Sequence, residues 1–297
     1  MRIPDEKLAE VFDRGFTVVE GFLDKTTLSD AQDALWEIYP RPEAYFADPA
    51  TYSKFARSQF AGLRFFPYPS WALNKVPVYP DLIDAAERFL QTKTVDCYKI
   101  ELWAKYAGAI DYDQTHHRDY DNHTIVVPRA DQVMPQMTCF ILLSDVTELD
   151  GPTKAVPLAK TRDIPLGVSQ TKVGDFADDE VAITGPAGSM LIYKTDVFHR
   201  GSDFKGPGRS RFVMPVDFKA RGWPWQGKLA WPDRAINPGW KEAMVQMTPR
   251  QRDVFGWPPA GDAYWNGQTL SDVALRYPGI DLTPYGAQST AGADAQS

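Results

Sequence analysis

From about residue 94 the apolar residues of this chain stop recurring at three and four positions and begin to alternate, a change of period that constrains the fold more than any other feature. Val95, Cys97, Lys99, Glu101 and Trp103 share one parity, and Tyr98, Ile100, Leu102 and Ala104 the other. Successive side chains of a strand point to opposite faces, so this stretch predicts a strand whose two faces are used differently. Strand-like runs follow at Thr124–Val127, Met137–Leu143, Val181–Thr184, Ser189–Tyr193 and Arg211–Phe218. Asp150-Gly151-Pro152, Gly185-Pro186 and Gly206-Pro207-Gly208 punctuate them as turns. Many short strands at such intervals predict a β-sandwich or barrel.

Upstream the period is helical. Leu8, Val11 and Phe12 predict a helix over residues 5–14 that stops at Gly15, and Phe16 to Val19 reads as a short strand. Leu28, Ala31, Leu35 and Ile38 predict a second amphipathic helix ending before Pro40. Residues 40–80, rich in proline and aromatics, resist assignment, and Pro80 to Leu90 fits a further helix. Beyond residue 220 come Trp- and Pro-rich segments with a short helix near 238–246. The expectation is one domain over residues 1–285. It comprises a helical region 1–93, a strand-rich core 94–218 and an extension 219–285, with a disordered tail at 286–297.

At 297 residues the chain can bury a sizeable core. Its net charge of −7 argues against a general nucleic-acid or anionic-membrane binder, because both need a basic face. Cys97 and Cys139 are its 2 cysteines, too few for a disulfide framework or a cysteine-rich zinc site. Both sit in apolar stretches and read as buried, reduced thiols, which suits the cytoplasm. The charged N-terminus gives no expectation of a signal peptide, and no apolar run approaches the roughly 20 residues that span a bilayer.

Chemistry can only be concentrated around the 4 histidines, His116, His117, His123 and His199. In extended chain, residues at alternate positions project to one face, so His117 and Asp119 can reach one metal while His199 closes a third vertex. Two imidazoles and a carboxylate on one face leave positions open, the arrangement of non-haem Fe(II) oxygenases. An isolated H-x-D is weak evidence, and Asp121 with His123 repeats the parity, so alternation leaves both pairs open. His116 has the opposite parity and reads as a supporting or surface residue. Arg209 and Arg211 follow His199 through a Gly-Pro-Gly turn. Either guanidinium can hold a carboxylate by two parallel hydrogen bonds, although a surface arginine beside a turn is the plainer reading of each alone.

Taken in order, these segments resemble the phytanoyl-CoA dioxygenase family of Fe(II)/2-oxoglutarate oxygenases. The resemblance runs from Phe12 and Gly15–Leu23 through Lys105-Tyr106-Ala107-Gly108 to His117-Arg118-Asp119. It continues with Met137–Pro157, Gly188–Tyr193 and His199-Arg200-Gly201-Ser202. The chain departs from the pattern at Leu158-Ala159-Lys160, where a Gly-Ser-His-type turn is common. The resemblance implies a mainly β fold with flanking helices, a double-stranded β-helix or cupin-like jelly roll. It implies His117, Asp119 and His199 as ligands of Fe(II), and 2-oxoglutarate as co-substrate with O2. Arg211, which opens the apolar run Phe212-Val213-Met214, fits the 2-oxoglutarate anchor better than Arg209, with Ser202 a candidate helper. The implied reaction hydroxylates a small organic substrate and releases succinate and CO2. Asp119 stands where halogenating relatives carry a small residue, which favours hydroxylation.

Two other readings use the same residues. Three ligands plus water also describe a zinc hydrolase. A non-catalytic jelly-roll binding protein would have lost a ligand or the arginine, and none is missing. The aromatics and arginines Tyr52, Phe55, Arg57, Arg64, Phe65, Phe66 and Trp71 are candidates for the cavity mouth, with core packing the plainer role for most.

Overall fold

In the computed structural model, which describes residues 2–109, 113–123, 136–172, 174–222 and 230–286, Gly15 ends the first helix in the left-handed conformation at φ 98°. Its N–H bonds to the Val11 carbonyl, a cap that glycine adopts without a steric cost. Helix α1 (Asp5–Arg14) therefore stops where predicted, and β1 (Phe16–Val19) begins at once. Helix α2 (Lys25–Leu35) is shorter than its apolar spacing suggests. Ile38 N bonds back to Leu35 O in a tighter turn as the chain approaches Pro40, whose ring disfavours helical geometry at Tyr39.

The unassigned stretch 40–80 holds α3 (Pro42–Ala47), β2 (Leu63–Phe65) and α4 (Trp71–Asn74). Helix α5 (Pro80–Phe89) and β3 (Val95–Tyr106) lie where the sequence places them. There follow α6 (Tyr120–His123), β4 (Gln136–Leu142), β5 (Lys154–Ala155) and β6 (Val181–Ala182). Next come β7 (Met190–Tyr193), β8 (His199–Arg200) and β9 (Ser210–Ala220). The chain closes through α7 (Trp231–Arg234), α8 (Pro238–Gln246), α9 (Pro249–Asp253), α10 (Gly267–Arg276) and α11 (Thr283–Gly286). The expected strand 124–127 and, apart from Gly286, the expected tail lie outside the described residues.

The strands form a 6-stranded sheet in the order β1-β7-β4-β9-β3-β2 and a 3-stranded sheet in the order β6-β5-β8. All pairings within them are antiparallel. This is the double-stranded β-helix with flanking helices. One face of the large sheet carries Ile100, Leu102, Met214 and Val216, packed with α1, α2 and α5 into the main core. Each such fully buried aliphatic side chain contributes about 1.5–3 kcal/mol. The opposite face looks into the roll, where small apolar clusters form around Phe16, Phe140, Leu191 and Tyr193 and around Leu142 and Val213. Gly62 brings β2 against β3, since a Cβ there would stand 2.0 Å from the Ala104 carbonyl oxygen. Cys97 and Cys139 are buried free thiols. Among the described residues no helix is long and apolar enough to cross a membrane.

Candidate metal centre

His117 and His199 face each other across an antiparallel bridge. His117 N bonds to His199 O at 2.9 Å, and His199 N returns to His117 O at 3.0 Å. Backbone pairing thus joins two residues far apart in sequence before any side chain acts. Asp119, on the same parity as His117, completes the trio, and the ligand atoms of all three lie within 4.8 Å of one another. Asp119 Oδ1 is 3.9 Å from His117 Nε2, and Oδ2 is 3.5 Å from His199 Nε2.

The surroundings prepare these groups to ligate. His117 Nδ1 faces Thr115 O at 3.0 Å and His199 Nδ1 faces Val197 O at 3.1 Å. A carbonyl accepts only a proton, so both rings carry N–H at Nδ1 and turn the Nε2 lone pair inward. Burial outweighs the pull of Asp119 and lowers the His199 pKa to about 4, leaving a neutral imidazole at neutral pH. Burial opposes ionisation of Asp119, but the fields of His199, His123 and Lys99 prevail and hold it far below the usual carboxylate range. The Tyr193 hydroxyl donates to Asp119 Oδ2 at 2.6 Å and leaves Oδ1 with its lone pairs to offer. Two imidazole nitrogens and one anchored carboxylate fit a divalent transition metal.

The trio borders a cavity of about 430 Å3, within the usual small-molecule range of roughly 300–1,000 Å3. Arg211, 4% exposed, lines the same cavity. Arg209 does not line it, and its Nη1 donates to Asp150 Oδ1 at 2.8 Å. The Ser202 hydroxyl donates to Pro152 O at 2.6 Å, so this expected helper is engaged elsewhere. His123 also borders the cavity but lies outside the trio, its Nδ1 3.0 Å from the Tyr98 hydroxyl. Past Asp119 the chain turns into α6, so the extended-chain parity behind the Asp121/His123 alternative ends there, and the Asp121 side chain is outside the described residues. His116 points away, 3.1 Å from Glu180.

Of the mouth candidates, Phe65 lines the cavity, while Tyr52, Phe55, Phe66 and Trp71 pack into or against the main core. Arg57 is exposed, and Arg64 bonds back to Leu63 O. Sequence reasoning missed Glu101, Trp103, Phe60 and Leu63 as cavity residues. The polar parity of β3 was a usable signal for the first two.

A family model for phytanoyl-CoA dioxygenase matches residues 12–213. No curated protein sequence matches the chain. Among solved structures, it is similar to the non-heme alpha ketoglutarate dependent epimerase SnoN from nogalamycin biosynthesis. That match has 14% identity and a TM-score of 0.52, covering 73% of this chain and 80% of the other. The carbocyclase SnoK from the same biosynthesis gives 14% identity and a TM-score of 0.51, covering 73% of this chain and 84% of the other. AviO1 from Streptomyces viridochromogenes Tue57 gives 15% and 0.52, covering 76% of this chain and 99% of the other. Those likenesses concern the fold, whereas the family match spans most of the chain, including His117, Asp119, His199 and Arg211. The chain belongs to the phytanoyl-CoA dioxygenase family, whose enzymes work with Fe(II), 2-oxoglutarate and O2.

Proposed function

We propose that this protein is an Fe(II)/2-oxoglutarate-dependent dioxygenase that hydroxylates a small organic substrate. In this reading His117, Asp119 and His199 hold the iron and Arg211 anchors the distal carboxylate of 2-oxoglutarate. One observation carries it: three pre-oriented ligand atoms and a buried arginine border a single cavity. When bound, the iron supplies the oxidation, with O2 and 2-oxoglutarate consumed and succinate and CO2 released.

The chain's own part is to position groups and exclude water. Thr115 and Val197 carbonyls fix the tautomers, and the Tyr193 hydroxyl fixes the Asp119 carboxylate. The Tyr193 ring packs on His199 at 4.8 Å, and Phe140 meets Tyr193 edge-on at 5.5 Å, which holds the imidazole plane. Arg211, the second residue of the paired strand β9, offers a charged fork without losing its proton. A zinc hydrolase would use the trio and leave the buried arginine in the cavity without a role. The two buried free thiols suit a reducing, cytoplasmic setting.

Anaerobic protein loaded with Fe(II) and then 2-oxoglutarate should develop the weak visible charge-transfer band of a chelated 2-oxo acid. His117→Ala and His199→Ala should abolish it together with iron retention. A metal-replete wild type with no band at saturating 2-oxoglutarate defeats the proposal, and zinc-dependent hydrolysis by the same protein would replace it.

A further inference from the structure

We infer that the substrate of this oxygenase carries a cationic amine that docks on Glu101, with its apolar body against the aromatic wall alongside; this rests on the iron and 2-oxoglutarate reading above.

Glu101 lies in the middle of β3, directly across from Phe65 of β2, and is 4% exposed. It borders the same cavity as the metal trio. Its Oε2 accepts from Trp103 Nε1 at 2.9 Å, and no cation of the described residues makes an ion pair with it. Lys99, on its own face, is bound to Asp217 at 2.6 Å, and its charge is shared with Glu101. A buried carboxylate that no cation contacts directly is costly to hold, by several kcal/mol per ion, so it marks a place where a partner can dock.

Charge accounting says what that partner must be. A bound divalent ion would be offset by Asp119 and a carboxylate of 2-oxoglutarate, and Arg211 would meet the other carboxylate. Lys99 meets Asp217. Lys105 lies across from Arg211 in the strand register, and burial together with that guanidinium pushes its pKa down, away from the charged form. Glu101 has only a share of the Lys99 field and no contacting cation, and it lies among Phe60, Leu63, Phe65, Trp103 and Phe140. Aromatic faces attract cations and not anions, so the wall and the carboxylate favour the same ligand. Phe60, 44% exposed at the mouth, packs edge-on against Trp103 at 5.6 Å and extends this surface outward. Acidic substrates meet repulsion at the same place.

The test uses wild-type and Glu101→Gln protein, both loaded anaerobically with Fe(II) and 2-oxoglutarate and titrated by calorimetry. The probes are phenylalkylammonium and alkylammonium ions of graded length, with their isosteric alcohols and carboxylates. At least one ammonium ion should bind wild type ten-fold or more tightly than its alcohol, with the carboxylates weakest. Glu101→Gln keeps the shape and an acceptor for Trp103 and should erase that preference, whereas Glu101→Asp should retain part of it. Equal binding of ammonium ions and alcohols across the panel overturns the inference, as does a preference that survives in Glu101→Gln. Iron content and the 2-oxoglutarate band, read on the same samples, separate the two failures. Both intact with no ammonium preference defeats the substrate class alone. Their absence from wild type removes the oxygenase reading, and this inference with it.

Discussion

Arg209 and Arg211 have the same residue type and the same parity, yet they meet different fates. Arg209 precedes the first paired residue of β9 and bonds to Asp150 beside the Asp150-Gly151-Pro152 turn. Arg211 is paired with Lys105 across the sheet and projects into the roll. A guanidinium paired in a buried site is worth several kcal/mol when its partner carboxylate arrives, and an exposed one about 1 kcal/mol or less. Arg211→Ala should therefore weaken 2-oxoglutarate binding at least ten-fold, about 1.4 kcal/mol, and Arg209→Ala much less. Titrating the charge-transfer band in both variants checks this, and a larger loss in Arg209→Ala would move the anchor. His123→Ala should keep most iron binding because its Nδ1 is directed to Tyr98 and its ring stands outside the trio. Metal content after dialysis measures it, and an iron-free His123→Ala would mean that His123 is a ligand.

At the level of elements, a strand of 2 residues, β8, carries His199 and pairs with β5, another of 2. So few ladder bonds hold weakly, and side chains reinforce them. Glu180 does so, receiving Arg200 Nε at 2.7 Å and Nη2 at 2.9 Å, with Lys154 on Oε1 and His116 at 3.1 Å. Arg200 adjoins His199 and His116 adjoins His117, so one carboxylate ties the backbones behind both imidazoles. Burial opposes its ionisation, but the Arg200 and Lys154 hydrogen bonds prevail and lower its pKa from 4.5 to about 2. Glu180→Gln should lower stability by about 2 kcal/mol at neutral pH and iron affinity about ten-fold. Because the folded pKa lies below the unfolded one, this stabilisation is complete above about pH 4.5 and fades as pH falls toward 2. Denaturant unfolding of both proteins from pH 7 to 3 tests the sign; a gap that widens on acidification would contradict it.

Over the whole molecule, one apolar cluster joins Ile3, Leu82, Ile100, Met214, Trp240 and Tyr285. The helical region, the roll and the C-terminal extension thus share a core, and residues 1–285 are expected to unfold as one unit. A calorimetric scan should show a single transition whose calorimetric and van't Hoff enthalpies agree. A separate early transition for residues 219–285 would make the extension its own domain.

Periodicity in the sequence located α1, β1, α5, β3, β4, β7 and β9, because each is long or clean enough for its repeat to be seen. The short elements β2, β5 and β8 carry too few residues for any period, and only pairing across the sheet creates them. The same division holds at the site. The H-x-D spacing and the ordered motifs name His117, Asp119 and His199, since ligand geometry demands those side chains on one face. Alternation along β3 shows two faces but not what either one meets. Lys99, Glu101 and Trp103 share one parity in sequence, and the tertiary structure makes their face the wall of a cavity. Residue chemistry and local spacing belong to the chain alone. Which charges lose their solvent, and which arginine reaches the interior, depends on strands brought together from far apart, and only the tertiary structure decides it.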